Sequence, residues 1–159
     1  MARLGSTGNI RVWWVETIAA PNAPTVAEIT AGVDLTPFMR RDGLATPRSG
    51  QTIDASDAAS RVNKKAPGNI DAGEVTFRGL RDSVAADDDG WTTLAEDEAG
   101  YLVVRRFGGS TVAATAADKV EVYEGSVISR EAQPIGDEVQ NFVAVISVEN
   151  VYQDATVAA

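Results

Sequence analysis

A chain of 159 residues is one domain's worth, and it holds no cysteine and no histidine, which excludes disulfides, thiolate and imidazole metal sites, cysteine nucleophiles and histidine-based triads. With 14 basic against 23 acidic residues the formal net charge is −9, which opposes tight binding to a phosphate backbone, since that needs clustered Lys and Arg to release counterions. The opening MARLGSTGNI lacks the apolar stretch of a secretion signal, and no window approaches the ~20 apolar residues of a membrane span, so the chain reads as a single domain, 1–159, made and kept in the cytosol.

Residues 1–9 are small and polar and read as a flexible arm. Residues 10–18, IRVWWVETI, form the first expected strand, with Val12, Trp14 and Glu16 on one face and Arg11, Trp13, Val15 and Thr17 on the other. The adjacent tryptophans point opposite ways: either both are packing residues, or one is core and the other lies under a loop or at an interface. In PNAPTVAEITAGVDL, Thr25 stands three residues before Glu28 as a capping box, Pro24 and Ile29 are placed to act as a staple, and Gly32 suits a left-handed C′ position. This predicts a helix of one or two turns, its capping worth about 1 kcal/mol.

From 36 to 67 the periodicity breaks down, with three prolines, two glycines and a scatter of Ser, Asp and Thr around Phe38, Met39, Leu44 and Ile53. Compact domains seldom hold structureless connections longer than ~12 to 15 residues unless these are functional or disordered. One reading is a floppy surface excursion. The other, favoured by apolar residues spaced beside Arg40 and Arg41, is an arm that orders against a partner, which makes Phe38, Met39, Arg40, Arg41, Leu44 and Ile53 interface candidates. Residues 60–66, with Val62 between polar neighbours and Lys64 and Lys65 as guards, read as an edge strand, and APGN as the turn after it. In 72–82, Val75, Phe77 and Gly79 alternate with Glu74, Thr76, Arg78 and Leu80, so this is a strand with one core face, expected to pair with 100–107.

Residues 87–99, DDDGWTTLAEDEA, carry three aspartates at a helix start and an apolar stripe of Trp91, Leu94 and Ala95, predicting a short amphipathic helix ended by Gly100. Glu96, Asp97 and Glu98 then sit at its C-terminal end, where each anion costs about 0.3 to 1 kcal/mol. They serve solubility, or this end meets a basic patch or guards an anionic surface. YLVVRRF, 101–107, is a strand closed by Gly108 and Gly109; Lys119 to Tyr123 alternates, breaks at Gly125 and continues through Val127 and Ile128 to Arg130. QPIGD, 133–137, is a turn into the last strand, NFVAVISVENVY, 141–152. There Phe142, Ala144, Ile146 and Val148 share one face and Val143, Val145, Ser147, Glu149 and Val151 the other. Both faces begin apolar, so one needs the protein's own second layer and the other something else, such as a neighbouring subunit; Val143 and Val145 join the interface candidates. Residues 153–159 read as a short tail. Seven or eight strands, two short helices and one long arm make a mainly β fold, a β-sandwich with a helix on its flank.

The chemistry-bearing motifs are missing. GSTGN lacks the Lys and preceding strand of a phosphate loop, no GxSxG occurs, and the aspartates at 87–89 have the wrong spacing for a calcium loop. A carboxylate pair is the one enzymatic option left, and scattered acids offer such pairs by chance, so no enzyme, metal or cofactor is expected.

The series VWWVETIAAPNAPTVAEITAGVDLT (12–36), a Gly-containing irregular loop, a strand, an acidic helix with Trp91, GYLVVRR (100–106) and a C-terminal strand pair resembles the major tail, or tail tube, proteins of long-tailed phages infecting actinobacteria. The resemblance implies a β-sandwich with a flanking helix and hexameric rings stacked into a tube through which DNA passes without specific binding. It also implies a virion tail assembled in the host cytoplasm, with tape measure, tail terminator and baseplate proteins as partners. A barrel needs roughly sixteen strands before an aqueous channel opens, so a chain with about eight must share the wall with other copies. That wall must not hold phosphates, and acids fixed on strands, Glu74, Glu121 and Glu149, are the channel-lining candidates. Two readings compete: a ring that does not propagate, such as a tail terminator or hub, and a monomeric Ig-like binding module.

Overall fold

The computed structural model describes residues 9–56, 64–106, 108, 111, 113–134 and 139–159. The elements run β1 (Arg11–Val15), α1 (Val26–Ala31), β2 (Val33–Asp34), a 3-10 turn (Thr36–Phe38), β3 (Met39–Ala45), β4 (Ser49–Asp54), β5 (Lys65–Asp71), β6 (Glu74–Leu80), α2 (Asp89–Thr93), β7 (Ala99–Arg105), β8 (Lys119–Ala132) and β9 (Asn141–Thr156). Seven strands form one antiparallel sheet in the order β2-β1-β7-β8-β9-β6-β3, while β4 and β5 make a separate two-stranded ladder. The fold is mainly β with two short helices, as expected, and its layers come from one sheet curled into a half-barrel.

Period-two alternation on β1 sends Val12 and Trp14 into one apolar cluster and Trp13 and Val15 into another. The first cluster spans the sheet from Trp14 and Leu102 through Tyr123 and Val127 to Phe142, Ile146 and Phe77, with Leu94 joining it. The second covers only the β1 end of the opposite face, where Ile29 and Val26 of α1 and Ala155 and Val157 near the C-terminus pack on Trp13, Val103 and Val122. Both tryptophans, 5% and 2% exposed, are packing residues with a core apiece. The C-terminal stretch is thus no loose polar tail: Ala158 donates to the Pro24 carbonyl at 2.9 Å and accepts from Val26 N–H at 3.1 Å.

The capping box of α1 forms as predicted, with Glu28 N–H donating to Thr25 Oγ1 and Thr25 N–H to Glu28 Oε2. Gly32 departs from expectation, since its φ of −75° is extended and not left-handed. Its role is close approach: a Cβ there would lie 2.6 Å from the Trp14 carbonyl oxygen.

The C-terminal strands β8 and β9 pair, as expected, and make the longest ladder among the described residues. Gly125 does not break β8. The register slips there as a bulge, and a Cβ at Gly125 would stand 2.0 Å from the Ser147 carbonyl oxygen, so only glycine lets β9 approach. Residues 1–8 of the expected N-terminal arm, and 135–138 of the expected turn, lie outside the described residues.

Four expectations are corrected. The stretch 36–67 is not structureless: β3 pairs with β6 through a bulge between Met39 and Leu44 that hides its alternation, and β4 pairs with β5. In 60–66, Val62 lies outside the described residues, β5 starts only at Lys65, and APGN lies inside it; Pro67 is tolerated because β5 pairs on one side only. Strand β6 pairs with β3 and β9, not with β7, which lies between β1 and β8. The helix expected over 87–99 shrinks to Asp89–Thr93, because Asp97 N–H donates to the Val127 carbonyl and Val127 N–H to the Glu98 carbonyl, drawing the chain onto β8. Gly100 is a residue of β7 beneath the Trp14 ring, and Asp88 makes no side-chain cap but binds Arg81 at 2.6 Å.

Candidate assembly surfaces

Every residue of β4 is exposed, and Ile53 and Ile70, on the two strands of the ladder, are 59% and 65% exposed. An apolar side chain held open on a strand without a second layer gains nothing within the subunit. The interface candidates therefore divide. Phe38 lies against Gly90, and Met39 and Leu44 pack on the main core. Arg41 is exposed, Arg40 half-buried 3.7 Å from Asp42, and Ile53 alone of the apolar set is on the projecting arm.

The segment between β3 and β4 is clasped to the sheet by a polar cluster that the sequence reading missed. Arg106 grips Glu121 with both Nε (2.8 Å) and Nη2 (3.0 Å), and Nη2 also donates to Thr46 Oγ1 at 3.1 Å. Tyr123 Oη donates to the same carboxylate at 2.7 Å. Burial pushes the Glu121 carboxyl up, but the bonds from Arg106 and Tyr123 and the Arg106 charge outweigh it and hold the group below the ordinary glutamate value. Burial pushes the Tyr123 phenol up. The signal was legible in the paired arginines: Arg105 and Arg106 point opposite ways, as Trp13 and Trp14 do, and each finds a carboxylate, Asp118 for Arg105 at 2.8 Å.

The β8, β9 and β6 part of the sheet leaves its second face without a covering layer among the described residues. Register puts Glu74, Thr76 and Arg78 opposite Ser147, Val145 and Val143, and Ser126, Ser129 and Glu131 opposite the same three. Val143, Val145 and Ser147 are half-buried, in contrast to the fully buried Phe142, Ala144 and Ile146 behind them. Two of the channel candidates belong here: Glu74 is exposed on β6, and Glu149 lies beside Glu124, Tyr101 and Ser126 in a small cleft. The third does not, because Glu121 pairs in register with the core residue Val104 and faces the other way, bound to Arg106.

A family model described as phage tail tube protein matches residues 1–159. The chain belongs to the phage tail tube protein family. That family is a structural component of phage tails and not an enzyme class. Among solved structures, a chain in the cryo-EM structure of the anti-feeding prophage baseplate, 6-fold symmetrised, shares the fold with a TM-score of 0.59 at 10% identity, covering 95% of each chain. A comparison with curated proteins finds no match.

Proposed function

We propose that this tail tube protein assembles into hexameric rings that stack into the tail tube of a long-tailed phage of actinobacteria and conduct DNA into the host, with tape measure, terminator and baseplate proteins at its ends. The observation that carries the reading is the β4–β5 ladder, which pairs with no third strand among the described residues and holds Ile53 and Ile70 open. Seven sheet strands cannot enclose a DNA-wide channel, which takes roughly sixteen or more, so several copies share the wall. Six is the number taken from the 6-fold symmetrised assembly whose chain has this fold.

The bare half-face turns to the channel in this reading, so that Glu74 and Glu149 recur around each ring as bands of negative charge that repel phosphates. Light scattering and negative-stain microscopy of the purified chain test the assembly: tubes support the proposal, discrete rings favour the terminator or hub reading, and only a 16.7 kDa species at every concentration and salt contradicts both. Tubes carrying Glu74→Lys and Glu149→Lys together should assemble yet eject DNA slowly, with relief as salt shortens the Debye length below about 10 Å. Unchanged ejection would remove the charge from the account.

A further inference from the structure

The connection between β6 and β7 carries most of the molecule's charge. Residues 82–98 hold seven acids and no base, a charge of −7 in a chain that totals −9. Six of the seven are exposed: Asp82, Asp87, Asp89, Glu96, Asp97 and Glu98. The carboxylates of Asp87, Asp89, Asp97 and Glu98 have no hydrogen-bond or ion-pair partner among the described residues. Like charges gathered on one short segment repel, and the repulsion weakens as salt screens it.

Local structure does little to oppose that repulsion. Helix α2 has five residues and no side-chain cap from Asp88, and a helix so short is not stable by itself. The segment is held down by tertiary contacts. Leu94 is fully buried in the main core, Gly90 lies against Phe38, and the Trp91 ring stands edge-on to Phe142 at 5.5 Å. The same indole carries two guanidiniums, Arg81 at 3.9 Å and Arg130 at 4.0 Å from the ring centre, and a cation over an aromatic face is attracted to it. Each arginine takes a second hold: Arg81 Nε donates to the buried Asp88 at 2.6 Å, and Arg130 donates to the Trp91 carbonyl. At the far end Asp97 N–H donates to the Val127 carbonyl at 2.8 Å and Val127 N–H to the Glu98 carbonyl at 2.9 Å. Seven acids against these two arginines still leave five negative charges uncompensated.

We propose that residues 82–98 are a salt-sensitive strap over one edge of the core. The strap closes as a unit through Trp91, and its own charge opens it when screening is withdrawn. Opening lifts Trp91 and Leu94 off Phe142 while β8 and β9 stay paired. The sign of the salt effect separates this from an ordinary ion-pair latch: salt loosens a latch built on attraction and tightens a strap strained by repulsion. The device belongs to the free subunit and does not depend on the tube reading.

Amide exchange of the full-length chain tests it, at a concentration where the chain is monomeric and at one pH in about 10 mM and about 1 M sodium chloride, which takes the Debye length from about 30 Å to about 3 Å. Thr92, Asp97 and Val127 have N–H groups bonded within or onto the strap. They should exchange about tenfold or more slower at the higher salt, with residues 142–148 of β9 unchanged. Asp87→Asn with Asp97→Asn and Glu98→Gln should slow the same three amides at low salt and flatten their salt response to within about threefold. Trp91→Leu keeps an apolar plug but removes the seat of both guanidiniums, and should quicken them at either salt. The three-residue variant alters only exposed side chains, so it tests the charge even where Trp91→Leu unfolds the chain. Exchange that quickens with salt, a three-residue variant that responds like the parent, or a folded Trp91→Leu chain with unchanged exchange would each overturn the strap.

Discussion

The β8–β9 ladder and the β4–β5 ladder are the same element, an antiparallel strand pair, in opposite circumstances. Strand β9 is flanked by β8 and β6 and sets Phe142, Ala144 and Ile146 at zero exposure against a cluster reaching Trp14. Strand β4 has one neighbour among the described residues and no buried residue. The apolar residues of the first stabilise the subunit, while Ile53 and Ile70 of the second are exposed and contribute little to it. Stability and assembly are therefore separable in this chain, and substitutions should move one without the other.

The sharpest contrast is between two apolar truncations. Phe142→Ala removes a fully buried ring stacked edge-on to Trp91 at 5.5 Å and should cost about 3 to 5 kcal/mol in denaturant unfolding. Asp118→Ala removes the carboxylate that pairs with the buried Arg105 guanidinium and leaves it the Ala113 and Thr111 carbonyls, and a loss of about 3 kcal/mol is expected from an uncompensated buried charge. Thr25→Ala, which deletes the cap of α1, should cost about 1 kcal/mol in the same assay. Ile53→Ala on the arm should fall within about 0.5 kcal/mol while lowering assembly severalfold by light scattering. A large stability loss from Ile53→Ala would show that the arm is packed within its own subunit.

Acid should loosen the arm before the core. Glu121 titrates below its ordinary value in the folded chain, so its bond to Arg106 contributes fully above the unfolded pKa, near 4.3, and is lost as pH falls through the lower folded value. Amide exchange at residues 49–54 should accelerate over that window in the parent chain. Glu121→Gln should be fast at neutral pH already and show little pH dependence.

Residues with a local signature were legible in the sequence. The alternation of Val75, Phe77 and Gly79, the opposite faces of Trp13 and Trp14, the Thr25–Glu28 box and the doubly apolar β9 all follow from period and side-chain type, and all appear in the fold. What failed depends on contacts distant in sequence. Strand β3 escaped notice because its bulge breaks the period at Arg40 to Gly43, and the partner of β6 could not be read because β9 lies some seventy positions on in the chain. Of the channel candidates, Glu121 faces the opposite side of the sheet from Glu74, which the sequence did not reveal because its partner Arg106 is fifteen residues away and is met across the β7–β8 ladder.

In the proposed tube the β4–β5 arm is uncovered in the free subunit and becomes covered by another copy. Hydrogen exchange on residues 49–54 and 65–71, measured in monomer and in tube, tests it most directly. The account predicts rapid exchange in the monomer and slowing by about tenfold or more on assembly, with residues 142–148 of β9 equally protected in both. Equal protection of the arm in the two states would contradict it.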